Sequence, residues 1–314
     1  MAKNNEQWVV YEGKEGLGKG KHVVFVSGDE EYRSEEALTC LAKIMAVRHG
    51  FKCTVLFAID PETGEIDPVN QTNIPGLESL ETADMMVLAL RFRELPDDQM
   101  KYIIDYTNAG KPVMGLRTAT HSFNYTRNKD SKYAKYDFRS PSFEGGYGRQ
   151  VLGETWVNHH GHHGVESTRG IINDEFKNHP ILKGVDDIWG PTDVYTVTTI
   201  TGNPKVLVFG EVLKSMDPKD EPNNDKPRMP LAWIKRYTGE LGKTSRVFCT
   251  TMGASVDLQS AGLRRLLVNG CYWCMGMKDA IPEKSNVDLV GEYNPLYFGF
   301  GTHKKGVKPV DLKL

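Results

Sequence analysis

HVVFVSGDEEYRSEEALTCLAKIMAVRHGFKCTVLFA, residues 22–58, is the stretch whose reading decides the fold. Residues 22–27 form a short β-branched apolar run that enters Gly28-Asp29-Glu30; bounded this way, such a run predicts a buried strand. Ser34-Glu35-Glu36 opens a periodic segment that ends at His49-Gly50. This predicts a helix with Ser34 as N-cap and Gly50 in the left-handed position after the last turn. Residues 53–58 predict a second strand, so the segment reads as a βαβ unit.

The same alternation continues downstream. Residues 59–74, rich in Asp, Pro, Asn and Gly, predict a surface excursion. Residues 85–90 predict a third strand that delivers Arg91 and Arg93 at its carboxyl end, and residues 97–109 a helix stopped by Gly110. PVMGL, residues 112–116, predicts a fourth strand leading into Arg117-Thr118-Ala119-Thr120-His121. The expected class is α/β, a doubly wound and mostly parallel sheet. Ligands bind beyond the carboxyl ends of such strands, so the loops 28–33, 91–94 and 117–121 are expected to face one crevice. Residues 124–170 break the alternation and predict a long irregular insertion. Strands are expected again at 192–198, 205–209, 229–233 and 246–250. In the last helix Leu263, Leu266, Leu267, Gly270, Cys271 and Cys274 share one face. The expected division is an N-terminal arm over 1–20, an α/β domain over 21–280 and an extended C-terminal arm over 281–314.

Composition narrows the partners. The 314 residues carry 39 basic and 41 acidic side chains, a formal charge of -2, in no long like-charge block. That argues against nucleic acid and anionic membrane surfaces and for a small-molecule carbohydrate partner. No run approaches the roughly 20 apolar residues of a membrane-spanning helix. The polar, glycine-rich first twenty residues do not read as a signal peptide. A soluble chain is expected, cytoplasmic or periplasmic; a homo-oligomer is left open. Five cysteines are an odd number without framework spacing and are expected to be reduced and buried. Cys271-Tyr272-Trp273-Cys274 matches a redox or zinc pattern, but its place on an apolar helix face favours core packing. The glycine-rich residues 13–20 lack the Gly-Lys-Ser/Thr ending of a phosphate loop.

The densest chemistry is Trp156-Val157-Asn158-His159-His160-Gly161-His162-His163-Gly164. Imidazole serves both as metal ligand and as general base near neutral pH. In an extended segment His160 and His162 point to one side, His159 and His163 to the other. His160 and His162 are therefore candidate ligands for zinc or another divalent metal, with His121 and Asp193 available to complete the set. A metal-free catalytic loop is the alternative, and so is a merely polar one. Glu30, Arg33, Arg91 and Arg93 at the strand ends would add charge to the crevice or form surface pairs. Glu144 and Glu154 could supply a carboxylate. The aromatic residues of the insertion could form a lid over a sugar or pin the segment to the sheet.

Gly115-Leu116-Arg117-Thr118-Ala119-Thr120-His121 has the shape of a strand-to-helix elbow. With Asn178-His179-Pro180-Ile181-Leu182-Lys183-Gly184 and Thr192-Asp193-Val194-Tyr195 it resembles the ThuA-like (trehalose-utilisation) family over roughly residues 22–277. The resemblance implies a glutamine-amidotransferase-like (flavodoxin-like) fold and the processing of sugars, disaccharides or oxidised (keto) glycosides. The elbow carries Arg117, which excludes the thiolate chemistry of an amidotransferase. The family shows histidine there, so His121, one turn on, is the substitute; Val194 departs from the acidic second position of the Asp-Glu-x-Tyr pattern. The expected catalytic set is thus His121, His160, His162, Asp193 and Arg117. Glu30, Arg33, Arg91, Arg93, Trp156, His159, His163 and Tyr195 are expected to bind substrate. Asp193→Asn is expected to spare folding. The expected function is a carbohydrate-processing enzyme, a hydrolase or an isomerase/lyase; a non-catalytic sugar-binding protein and a metal-dependent hydrolase are the rivals.

Overall fold

The computed structural model describes residues 7–314. Of the N-terminal arm expected over 1–20, residues 1–6 lie outside the described residues. The next part joins the sheet: β1 (Trp8–Tyr11) pairs antiparallel with β3 (Lys52–Leu56). Trp8 to Tyr11 alternate in burial, with Val9 and Tyr11 inward, and this period-2 pattern places an edge strand.

The strands β2 (His22–Gly28), β4 (Met85–Leu90), β5 (Val113–Leu116) and β10 (Thr244–Thr250) run parallel with β3 through the pairs β3–β2, β2–β4, β4–β5 and β5–β10. β2 lies inside this block. Val23 and Phe25 enter one core cluster and Val24 and Val26 the other, which explains its unbroken apolar sequence. β6 (Thr168–Ile172), β7 (Ile188–Gly190), β8 (Lys205–Val212) and β9 (Met229–Thr238) extend the sheet antiparallel. The full order is β1-β3-β2-β4-β5-β10-β9-β8-β6-β7. The sheet is therefore mixed rather than mostly parallel. The alternation that predicts parallel pairing ends with β5, and hairpin connections such as β9–β10 take over.

Three α-helices cover the parallel half. α1 (Ser34–His49) and α3 (Ala261–Cys274) pack into one cluster, α2 (Asp97–Asn108) into the other. Gly50 ends α1 at φ 79, as its position predicts. Ser34 does not cap: it is the first helical residue, and its hydroxyl lies 2.8 Å from that of Ser27. Ser260 does cap α3, accepting from the Leu263 N–H at 3.2 Å. All five cysteines are buried and free, Cys271 and Cys274 among them. No helix among the described residues is long and apolar enough to cross a membrane.

Two segments differ from expectation. Residues 192–198 form no strand; they hold one isolated bridge, Tyr195 to His159. The insertion is irregular up to Thr168, where β6 begins. Its aromatics mostly pin it down: Tyr125, Tyr133, Tyr136 and Tyr147 are buried in the core cluster that holds α2, whereas Trp156 is half-buried.

Candidate functional site

The register sets Gly28 beside Leu90 and Leu116 beside Thr250, so the turns after these four strands converge. Three of those turns contain a non-glycine residue in the left-handed region: Arg33 at φ 55, Phe92 at φ 52 and Arg117 at φ 45. Backbone held in that region by bulky residues is characteristic of sites where surrounding contacts fix a functional side chain.

Asp193 is the hub. Its Oδ2 lies 2.6 Å from His159 Nδ1, and its Oδ1 lies 2.9 Å from His163 Nδ1 and 3.1 Å from Arg117 Nη2. The histidine loop reaches it because it is zipped to the 193–196 segment. His160 N and Gly161 N donate to the Val194 carbonyl at 2.9 and 3.2 Å, and Thr196 N to the Asn158 carbonyl at 2.8 Å. The turn between them brings His159 and His163 to one carboxylate.

Burial alone would raise the Asp193 pKa, but Arg117 and the bonds from His159 and His163 hold it well below the usual carboxylate range. An ionised carboxylate only accepts, so both Nδ1 atoms donate to it. His159 Nε2 is left as the basic nitrogen. This is the geometry in which a buried aspartate fixes the tautomer of a working imidazole.

Arg117 is 1% exposed. It donates to the carbonyls of Asp193 at 2.5 Å and Thr251 at 2.9 Å and to Tyr32 Oη at 3.1 Å. Its guanidinium sits between the rings of Tyr32 and Tyr195, 4.4 and 4.1 Å from their centroids. Enclosed on all sides, it positions Asp193 and presents nothing to a ligand.

His159, His121, Arg91, Trp156 and Tyr195 line a cleft together with Glu31, Tyr32 and Phe92. The cleft volume is about 30 Å3, room for roughly two waters. His121 packs against Phe92, Phe138, Trp156 and Tyr195, with Nδ1 3.2 Å from Thr120 Oγ1. Burial first, then Arg91, Arg117 and His159, push its pKa well below the ordinary histidine value, so it is neutral at pH 7. Glu31 is shifted upward by burial despite Arg91 beside it; its Oε1 lies 3.5 Å from His163 Nε2.

The remaining residues expected in the crevice lie behind or beside it. Glu30 accepts from Arg91 and, at 2.6 Å, from Arg93 Nη2. Arg33 and Arg93 are fully buried in strand-end contacts. Glu154 binds Arg149 and the Thr198 and Thr199 amides. His160 Nε2 contacts the Pro227 carbonyl at 2.8 Å, and His162 is exposed, so neither joins the Asp193 cluster. The extended-chain alternation that paired them does not apply to a turn. The metal-competent set is instead His159, His163 and Asp193, whose ligand atoms lie within 4.8 Å of one another. A divalent ion there would displace two hydrogen bonds and stand beside Arg117. Sequence reasoning did not single out Glu31, Tyr32 and Phe92. The first two lie in the loop between Glu30 and Arg33, and Phe92 between two arginines, where charge drew attention away from the residues facing the cleft.

A cavity of about 730 Å3 lies apart from this chemistry, between α1 and the C-terminal arm, and is lined by Thr39, Lys43, Leu289 and Tyr293 among others.

No family model matches the chain, and no curated protein matches it. Among solved structures, a ThuA-like protein from Parabacteroides merdae aligns with a TM-score of 0.54 at 15% identity, over 90% of this chain and 98% of its own. A second, from Bacteroides uniformis, aligns with a TM-score of 0.50 at 14% identity, over 83% and 93%. The likeness at these identities is one of fold, and it supports the ThuA-like resemblance.

Proposed function

We propose that the chain is a carbohydrate-processing enzyme of the glutamine-amidotransferase-like α/β type that moves protons on a carbonyl-bearing sugar. In this reading residues 21–280 are the catalytic domain, and residues 124–170 supply one wall of its cleft. The observation that carries it is the 2.6 Å His159–Asp193 bond, with His159 facing the same cleft as the neutral His121.

His159 Nε2 takes a proton from the carbon next to the carbonyl. The C–H electron pair forms the carbon–carbon double bond while the carbonyl π pair moves onto oxygen, giving an enolate, and the proton returns to an adjacent atom. His121 donates to the enolate oxygen from Nε2 in the tautomer whose Nδ1 accepts from Thr120 Oγ1. One carboxylate, Glu31, lines the cleft, whereas ordinary glycosidic hydrolysis uses two. The ThuA-like fold and the sugar chemistry that the resemblance implies point to an oxidised mono- or disaccharide. The cleft is smaller than a sugar ring, so this reading requires the half-buried Trp156 to move aside on binding.

The test is solvent deuterium wash-in to keto-sugars, read by NMR. Wild type is expected to exchange the carbon-bound hydrogen, and His159→Ala to lose at least about 100-fold in rate. Equal rates in the two proteins would sink the assignment, and no exchange with any keto-sugar would leave the non-catalytic binder. A second reading, metal-assisted hydrolysis, rests on the 4.8 Å set. The guanidinium 3.1 Å from Asp193 Oδ1 weighs against it by charge repulsion. Stoichiometric metal lost in a His163→Ala variant, with activity lost to chelator, would favour it.

A further inference from the structure

The cavity of about 730 Å3 between α1 and the C-terminal arm has walls that are held in place. Its floor is one face of α1, where Glu35 and Thr39, and Glu36 and Cys40, stand four residues apart. Its roof is the arm, through Leu289, Tyr293, Leu296 and Val307. The arm is tied down on all sides of it. Arg48 Nη2 donates to the Leu289 carbonyl at 3.1 Å, Leu296 N to Glu36 Oε2 at 2.8 Å, Ile66 N to the Val307 carbonyl at 2.8 Å and Tyr11 Oη to the Leu312 carbonyl at 2.6 Å. A preformed space of this size, mainly apolar with a few polar groups in its wall, has the character of a small-molecule site.

The polar groups of the floor are unmet. Glu35 is 9% and Thr39 7% exposed. Among the described residues, neither carboxyl oxygen of Glu35 has a hydrogen-bond partner in another residue, and Thr39 Oγ1 has none. Buried oxygens left in this way cost free energy that a donor would recover. Burial pushes the Glu35 carboxyl up to about 8, although Arg33 and the residue's own backbone amide pull the other way, so it is mostly protonated at pH 7. A carboxyl and a hydroxyl together offer more lone pairs than hydrogens. An occupant that brings N–H donors meets them, whereas one that brings a carboxylate or phosphate adds acceptors. The other charges in the lining select neither sign, since Lys43, Lys304 and Lys305 stand against Glu36, Glu292 and Asp311. The sign of the occupant therefore falls to Glu35.

We propose that this cavity binds an amphipathic amine, one ammonium on an apolar body, with Glu35 and Thr39 taking the ammonium and the arm covering the body. On binding, the Glu35 carboxyl gives its proton to water and pairs as a carboxylate with the ammonium N–H groups. The site shares no lining residue with the His159 cleft and stands whether or not the reading of that cleft holds.

The test is NMR titration of wild type and Glu35→Gln with 2-phenylethylamine, 2-phenylethanol and 3-phenylpropionate, read at the amides of residues 35–43. The amine is expected to bind wild type tightest and to lose at least about tenfold in Glu35→Gln, while 2-phenylethanol binds both proteins equally and so reports an intact cavity. Calorimetry of wild type at pH 7, in two buffers of different ionisation enthalpy, needs no variant. It is expected to show about one proton released per amine bound and none per alcohol. If Glu35→Gln weakens amine and alcohol alike, the cavity itself is damaged, and proton release by wild type decides. An amine that binds no tighter than the alcohol, that binds Glu35→Gln as well as wild type, or that releases no proton overturns the proposal. Tighter binding of 3-phenylpropionate overturns it in favour of an anion held by the lysines, and no shift at residues 35–43 with any probe overturns the site.

Discussion

A Cβ built on Gly161 would lie 2.8 Å from the Cβ of Asp193, closer than two such atoms approach. Glycine here lets the histidine loop close onto the carboxylate so that His159 and His163 both reach it. Gly161→Ala is expected to push the loop outward, lowering stability by about 1–3 kcal/mol and separating His159 from Asp193. Deuterium wash-in should fall far more than melting temperature does. Wild-type exchange in a folded Gly161→Ala protein would show that the dyad is not what drives the reaction.

The Arg117–Asp193 pair changes what Asp193→Asn should do. Both side chains are about 1% exposed, so neutralising the aspartate leaves a guanidinium buried without its counter-charge. The variant is expected to lose about 3–5 kcal/mol rather than fold normally, as the motif alone suggests. Arg117→Met should cost a similar amount, and the double variant less than the sum of the two. Urea unfolding of the four proteins forms the cycle; simple additivity would deny the coupling.

Glu94 fastens the start of the insertion. Its carboxylate accepts from the Thr126, Arg127 and Asn128 amides at 3.1, 2.7 and 2.5 Å and from Arg127 Nε at 3.0 Å. Burial opposes ionisation, but the Asn128 amide, the Arg127 side chain and the other amides bring the pKa down to about 2. Because the folded value is depressed, the stabilisation is complete above the unfolded value near pH 4.5 and is lost as pH falls toward 2. It amounts to about 3 kcal/mol at most. Glu94→Gln should be less stable than wild type at pH 7 and match it near pH 2. A gap that persists in acid would point to shape rather than charge.

The parallel half of the fold is legible because each of its elements carries its own signal: an apolar run for β2, a glycine stop for α1, turn residues after β3. The crevice follows from strand order alone. What the chain does not announce is long-range. β6 and β7 lie inside or after an irregular stretch, and the pairing of β6 with β8 depends on a partner distant in sequence. Within the histidine cluster, residue type predicts chemistry but not direction. His159 and His163 face Asp193 because Val194 bonds the loop between them, and no local pattern in residues 156–164 encodes that contact.

His121 provides the last test, since its burial has opposite consequences for activity and for stability. The ring is 3% exposed among Phe92, Trp156 and Tyr195, and burial, aided by Arg91, Arg117 and His159, lowers its pKa well below the ordinary value near 6.5. The folded state therefore resists a proton that the unfolded chain accepts. Stability from this group is present above pH 6.5 and is lost as pH falls through the folded value. Replacing the imidazole by an apolar ring removes that loss. His121→Phe should consequently gain stability relative to wild type on moving from pH 7.5 to pH 5, while exchange of substrate hydrogen is abolished at both. Melting temperatures at the two pH values and deuterium wash-in at pH 7.5 decide the point. If the stability difference does not move with pH, the folded imidazole accepts a proton as readily as the unfolded one. If exchange survives, the enolate oxygen takes its hydrogen bond elsewhere in the cleft, and Tyr195 becomes the donor to examine.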